Sequence, residues 1–255
     1  WDLTFGESDF SHQQSQKIYL NIKIVHPINR DRYQIPWECL VEPNSQFPVA
    51  WHQDFVIYRT DSKYASQSIE DAEENLLRIL IIAPNTRSPK EKSLGGMGCI
   101  GEKEIPELAS EEEINLLRGD LNDLEIEGLA DIKVLGPDKI VTLEDIRIEL
   151  EENSPHVVHY IGHSHIVKEN DKETTHFLLN NQDGSFRCVA ERLFLNLFLH
   201  LNNTPRLLVL NSCFSSGSPI SAGLQQKILS LGTKAVLAMR SKVFDFHARE
   251  FANIF

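Results

Sequence analysis

His156-Val-Val-His-Tyr-Ile-Gly-His-Ser164 and Arg206-Leu-Leu-Val-Leu-Asn-Ser-Cys-Phe-Ser-Ser-Gly217 decide how this chain reads. Each is a short apolar run that breaks into a polar cluster carrying a glycine. A strand buried on both faces of a sheet has this texture, because neither side of it meets water. In parallel sheets the groups that do chemistry sit just past the carboxyl ends of such strands. If the two strands are neighbours, His163 and Cys213 face each other across the sheet edge. A cysteine beside an imidazole is usable as a thiolate, the nucleophilic form. The alternative is a buried structural cysteine and a hydrogen-bonded core histidine.

Outward from these two runs the pattern repeats. Leu76 to Ala83 is a continuous apolar stretch ended by Pro84. Ile132 to Leu135 and Ala235 to Met239 read as further strands. Between them lie helical patterns. Glu111 to Glu127 opens with Ser110 and Glu113 at capping-box spacing, and Thr142 to Glu152 opens with Thr142 and Asp145 at the same spacing. Ala190 to Leu201 and Ser221 to Leu231 are also helical, the second ended by Gly232. His176 to Val189 reads as a hairpin turning at Gln182-Asp-Gly184. Strands alternating with helices predict an α/β fold, a three-layer sandwich with a mostly parallel central sheet and helices on both faces. Residues 1–67 differ. They are β-rich, with strands at Tyr19 to Val25 and Phe55 to Thr60, and form a lead-in to a core at 68–255.

The chain has 255 residues, with 37 acidic and 25 basic side chains and a net charge of −12. Such a chain is a poor binder of phosphate backbones, so no direct contact with nucleic acid is expected. No apolar run approaches the roughly 20 residues of a membrane span. Cys39, Cys99, Cys188 and Cys213 form no CxxC pair, so neither a disulfide framework nor a zinc ribbon is expected, and the setting is read as reducing and cytoplasmic. The sequence starts at Trp1 without a signal peptide and stops at Phe255 inside a helical pattern. It is read as a piece of a longer protein, truncated in its last helices.

Three segments in consistent order resemble the CHAT domain, a caspase-like protease domain related to caspases, separases and metacaspases. They are Ile35-Pro-Trp-Glu-Cys-Leu40, the strand ending at His163, and the strand ending at Cys213 with its following glycine. The closing stretch Asp245 to Phe255 resembles the family's late helix. The resemblance implies that Cys213 is the nucleophile of a cysteine endopeptidase and His163 its general acid and base. The oxyanion would be held by the backbone N–H groups of Cys213 and of the residue after His163. That residue is usually glycine in relatives and is Ser164 here, which narrows the cleft. Metacaspase relatives hold an aspartate two residues before the cysteine to select basic P1 side chains. Asn211 stands there, so a neutral P1 residue is expected. Arg240 is the counterpart of the arginines that hold a P1 aspartate in caspases, or else a solvated residue at a strand end. No cofactor and no metal are implied. The implied partners are a protein substrate and a regulatory domain or activator protein, in bacterial antiviral defence or cell-death signalling.

Other readings compete. Gly162-His-Ser-His-Ile166 nearly spells the G-x-S-x-G elbow of serine hydrolases, with Ser164 as nucleophile, but Ile166 replaces the last glycine and Lys168 to Thr175 is no apolar helix. His159, His163 and His165 share one side of a strand, without a carboxylate to complete a zinc site. Gly96-Met-Gly-Cys-Ile-Gly101 matches a dinucleotide fingerprint only literally, inside the polar loop Asn85 to Glu107. A non-catalytic caspase-like scaffold is the remaining alternative.

Overall fold

The computed structural model describes residues 18–24, 55–61, 76–84, 105, 108–169, 172–213 and 224–239. The chain divides into two compact units, Trp1–Ser68 and Ile69–Phe255. In the first, β1 (Ile18–Ile24) and β2 (Phe55–Asp61) pair in parallel. The segment at Ile35 to Leu40 lies outside the described residues, as do all of the loop expected at Asn85 to Glu107 except Ile105, and the helix expected from Asp245.

The second unit runs β3 (Leu77–Ile82), α1 (Ser110–Ile126), β4 (Ala130–Leu135), α2 (Leu143–Asn153), β5 (Val157–Ile161), β6 (Ser164–Glu169), β7 (Lys172–Asn180), β8 (Phe186–Ala190), α3 (Glu191–Asn196), β9 (Leu207–Asn211), α4 (Leu224–Ser230) and β10 (Ala235–Ala238). Five strands form the central sheet in the order β10-β9-β5-β3-β4, every pairing parallel. The strands β6, β7 and β8 form a separate antiparallel sheet. The expected α/β architecture is therefore present, and its mostly parallel sheet is of the caspase-like kind.

The layering follows from the pleat, which sends successive side chains to opposite faces. On β3, Ile79 and Ile81 join Ile114 of α1, Ile132 of β4 and Ile161 of β5 in one apolar cluster. Leu80 and Ile82, on the other face, join Ile146 and Leu150 of α2, Phe194 of α3, and Leu224 and Ile228 of α4. Phe177, Leu179 and Val189 enter this larger cluster from the antiparallel sheet. Phe177 stacks on Phe194 at 4.2 Å between ring centroids, and Tyr160 of β5 meets Phe177 edge-on at 5.4 Å. Such pairs add about 0.5–1.5 kcal/mol to area burial.

Local chemistry sets the ends of the elements. Thr142 and Asp145 form the expected capping box, with the Asp145 N–H donating to Thr142 Oγ1 at 3.2 Å and the Thr142 N–H donating to Asp145 Oδ2 at 2.8 Å. After β4, Gly136 has a φ of +87°, and a Cβ there would lie 1.8 Å from the Ala83 carbonyl oxygen, so only glycine fits.

Three expectations need correction. The capping box at Ser110 and Glu113 does not form. Ala109 is the N-cap, without a side-chain cap bond, and Glu113 turns into the sheet instead. The single strand expected to carry His159, His163 and His165 is instead two, β5 ending at Ile161 and β6 starting at Ser164, and β6 pairs with β7 to add a third strand to the expected hairpin. Cys188 on β8 is disulfide-bonded, its partner lying outside the described residues.

Phe194 is 1% exposed at the junction of both sheets. Replacing it with alanine is expected to lower unfolding stability by about 3–5 kcal/mol, read by urea denaturation. Ile126→Ala, at a side chain 76% exposed, is expected to change it by less than about 0.5 kcal/mol.

Candidate active site at the ends of β5 and β9

The strands β5 and β9 are direct neighbours, and their last register pair is Ile161 with Asn211. His163 and Cys213 each lie two residues beyond that pair, so parallel register alone brings them out at equivalent positions of the same sheet edge. The Gly162 N–H donates to the Asn211 carbonyl at 3.3 Å and extends the contact one step past the strands.

His163 is largely buried, at 9% exposure. Its carbonyl accepts from the Leu178 N–H at 2.9 Å. The Tyr160 hydroxyl lies 3.2 Å from that carbonyl and 3.0 Å from the Leu178 carbonyl, and donates its one proton between them. Burial pushes the Tyr160 phenol well above its ordinary pKa, so it stays a donor. Gly162 permits this corner. A Cβ there would sit 2.4 Å from the Tyr160 hydroxyl oxygen and 2.5 Å from the ring carbon that bears it.

Ser164 opens β6 at 3% exposure. Its hydroxyl donates to the Cys213 carbonyl and lies 3.2 Å from Ser212 Oγ. The side chain thus bridges the segments that follow β5 and β9. Its backbone matters separately. In an antiparallel ladder, hydrogen-bonded and non-hydrogen-bonded pairs alternate. Because the Leu178 N–H bonds the His163 carbonyl, the pair Ser164 and Phe177 is of the second kind. The Ser164 N–H is left out of the β6–β7 ladder. Cys213 is half-buried and is not part of a disulfide.

Beneath this edge lies a polar group that sequence reasoning missed. Glu113 of α1 is 1% exposed. Asn211 Nδ2 donates to its two carboxylate oxygens at 2.8 and 2.9 Å, and His159 Nε2 lies 2.8 Å from Oε1. A carboxylate only accepts, so the amide nitrogen of Asn211 and a protonated Nε2 of His159 must face it. The signal was present in the sequence. Glu113 precedes Leu117 and Leu121 at spacings of four along the stripe that α1 turns to the sheet, so a charge occupies a core position.

The site residues read from the sequence divide accordingly. His163, Ser164, Asn211 and Cys213 come together at one sheet edge. Arg240 lies outside the described residues. His159 is turned to Glu113. Among the described residues, no group of three or more His, Cys, Asp or Glu side chains is placed to hold a metal ion. No described helix is long and apolar enough to cross a membrane. Ser164 is followed by a strand, whereas a nucleophile elbow needs a helix there.

The parallel five-stranded sheet between helices is consistent with an α/β caspase-like fold, and His163 and Cys213 follow its adjacent strands β5 and β9. The family model of the CHAT domain matches residues 13–255, and the chain belongs to that family, which is related to caspase-like cysteine proteases. No curated protein matches the chain.

Gly162→Ala is expected to destabilise by about 1–3 kcal/mol, since the new methyl group meets the buried Tyr160 ring. Thermal unfolding measures it, and a variant as stable as the parent would show that the corner has room.

Proposed function

We propose that the protein is a cysteine endopeptidase acting on a protein substrate. The observation that carries this reading is the register of β5 and β9, which sets His163 and Cys213 at matching positions with Ser164 hydrogen-bonded to the Cys213 carbonyl. In the proposed reaction the Cys213 thiolate attacks the scissile carbonyl carbon. The resulting oxyanion is held by the N–H groups of Cys213 and Ser164. His163 gives a proton to the leaving amine, and the C–N bond breaks to leave a thioester. Water, deprotonated by His163, then attacks the thioester and releases the acid product.

Asn211 is a neutral amide whose nitrogen is engaged by Glu113, which favours a neutral P1 residue over lysine or arginine. Arg240 stays the counterpart for an acidic P1 residue or a solvated strand-end side chain. The family relationship supports control by a regulatory domain or activator protein, in a defence or cell-death pathway. Neither the serine hydrolase nor the scaffold gains a specific observation in its favour.

The test is digestion of a proteome-derived peptide library, with cleavage sites read by mass spectrometry. Cys213→Ala and His163→Ala are each expected to reduce cleavage by about three orders of magnitude or more. Ser164→Gly is expected to keep cleavage at a reduced rate, because the backbone donor remains while the side-chain bond to the Cys213 carbonyl is lost. Cleavage that persists in Cys213→Ala overturns the assignment of the nucleophile. Lysine or arginine dominating P1 overturns the reading of Asn211.

A further inference from the structure

We infer that Glu113 is a positioning residue for the Cys213–His163 pair, acting through Asn211 and His159; the inference rests on the cysteine endopeptidase reading. Glu113 sits in the first turn of α1, where Glu111 and Glu112 already supply exposed carboxylates to the helix N-terminus. Its own carboxylate is buried and bonded to one side chain from β9 and one from β5. Asn211 is two residues before Cys213, and His159 is four before His163. One charged group therefore ties together the two strands that deliver both reacting side chains.

Stability alone does not account for a carboxylate here. An apolar residue would continue the stripe of Leu117 and Leu121, and a buried ion is costlier than a well-packed hydrocarbon. What the carboxylate adds is direction. Its hydrogen bonds hold the amide of Asn211 and the ring of His159 in set orientations on the α1 face. Ser164 holds the Cys213 carbonyl from the segment after β5. The backbone around Cys213 is thus restrained on both sides of the thiol, and displacement of a reacting group by about 1 Å can lower a rate by about a hundredfold.

The probe is iodoacetamide, whose C–I bond breaks as the Cys213 sulfur forms a C–S bond and iodide leaves. Labelling of the Cys213 peptide is followed by mass spectrometry across pH on the full chain, with thermal unfolding in parallel. The parent and His163→Ala are expected to differ in rate and in the pH of half-maximal labelling. Glu113→Gln is expected to slow labelling by about tenfold and to move its half-maximum towards that of His163→Ala. Adding Asn211→Asp to Glu113→Gln exchanges donor and acceptor, so the double variant is expected to recover to within about threefold of the parent. A purely structural role would shift the unfolding temperature without this recovery or the pH change.

If Glu113→Gln keeps the parent's rate and pH profile while His163→Ala changes both, the positioning role is overturned and the peptidase reading stands. If His163→Ala changes neither, that reading falls and the inference falls with it. Should Glu113→Gln fail to fold, Asn211→Ala breaks the tie to β9 alone, and unchanged labelling in that variant overturns the proposal.

Discussion

Parallel pairing of β5 with β9 is the constraint on which the rest of this unit depends. Parallel neighbours cannot be joined by a tight turn, because the chain must travel back to the starting edge before the second strand begins. Here the return trip contains the antiparallel sheet β6–β8 and helix α3. The crossover starts at the histidine and delivers the chain to the strand that ends at the cysteine. Its own apolar residues, Phe177, Leu179, Val189 and Phe194, enter the cluster that covers one face of the sheet. The connection is thus part of the core, and the same residues that close the crossover support the site.

The two faces of the sheet are held by different physics. The face under α2, α3 and α4 is apolar and aromatic, and its packing is non-directional burial supplemented by ring contacts. The face under α1 mixes an isoleucine cluster with the buried carboxylate of Glu113. Directional bonds at 2.8–2.9 Å there replace area as the source of order. A buried ion is a weak source of stability, but it discriminates sharply between correct and incorrect arrangements of its donors. That contrast suits a sheet whose edge must hold two side chains in a set relation.

Much of this was legible in the residues. Continuous apolar runs such as Leu76 to Ala83 and Arg206 to Leu210 announced doubly covered strands, and Thr142 with Asp145 announced a helix start. The legible features share a cause, since each depends on neighbours close in sequence or on a period. What escaped depends on partners far apart. Glu113 lies 46 residues from His159 and 98 from Asn211, so a local capping box was the nearest available explanation for its spacing from Ser110. The strand β6 escaped because its pairing is made by backbone groups, which carry no sequence signature, while its side chains alternate poorly. The site histidine and cysteine were readable because they follow strands that were readable. Their juxtaposition needed strand order, which the residues left open.

Tyr160 joins the interior to the edge that carries His163 in a way that bears on how such a chain can change over generations. Its ring belongs to the aromatic cluster and its hydroxyl reaches the carbonyl of His163. A substitution deep in the apolar layer therefore alters the footing of that backbone corner even when the protein still folds. A lineage that repacks Phe177 or Phe194 must do so around the Tyr160 phenol. The surface beyond the 182–184 turn is under no such restriction, so divergence among descendants should accumulate there while the buried corner changes in concert.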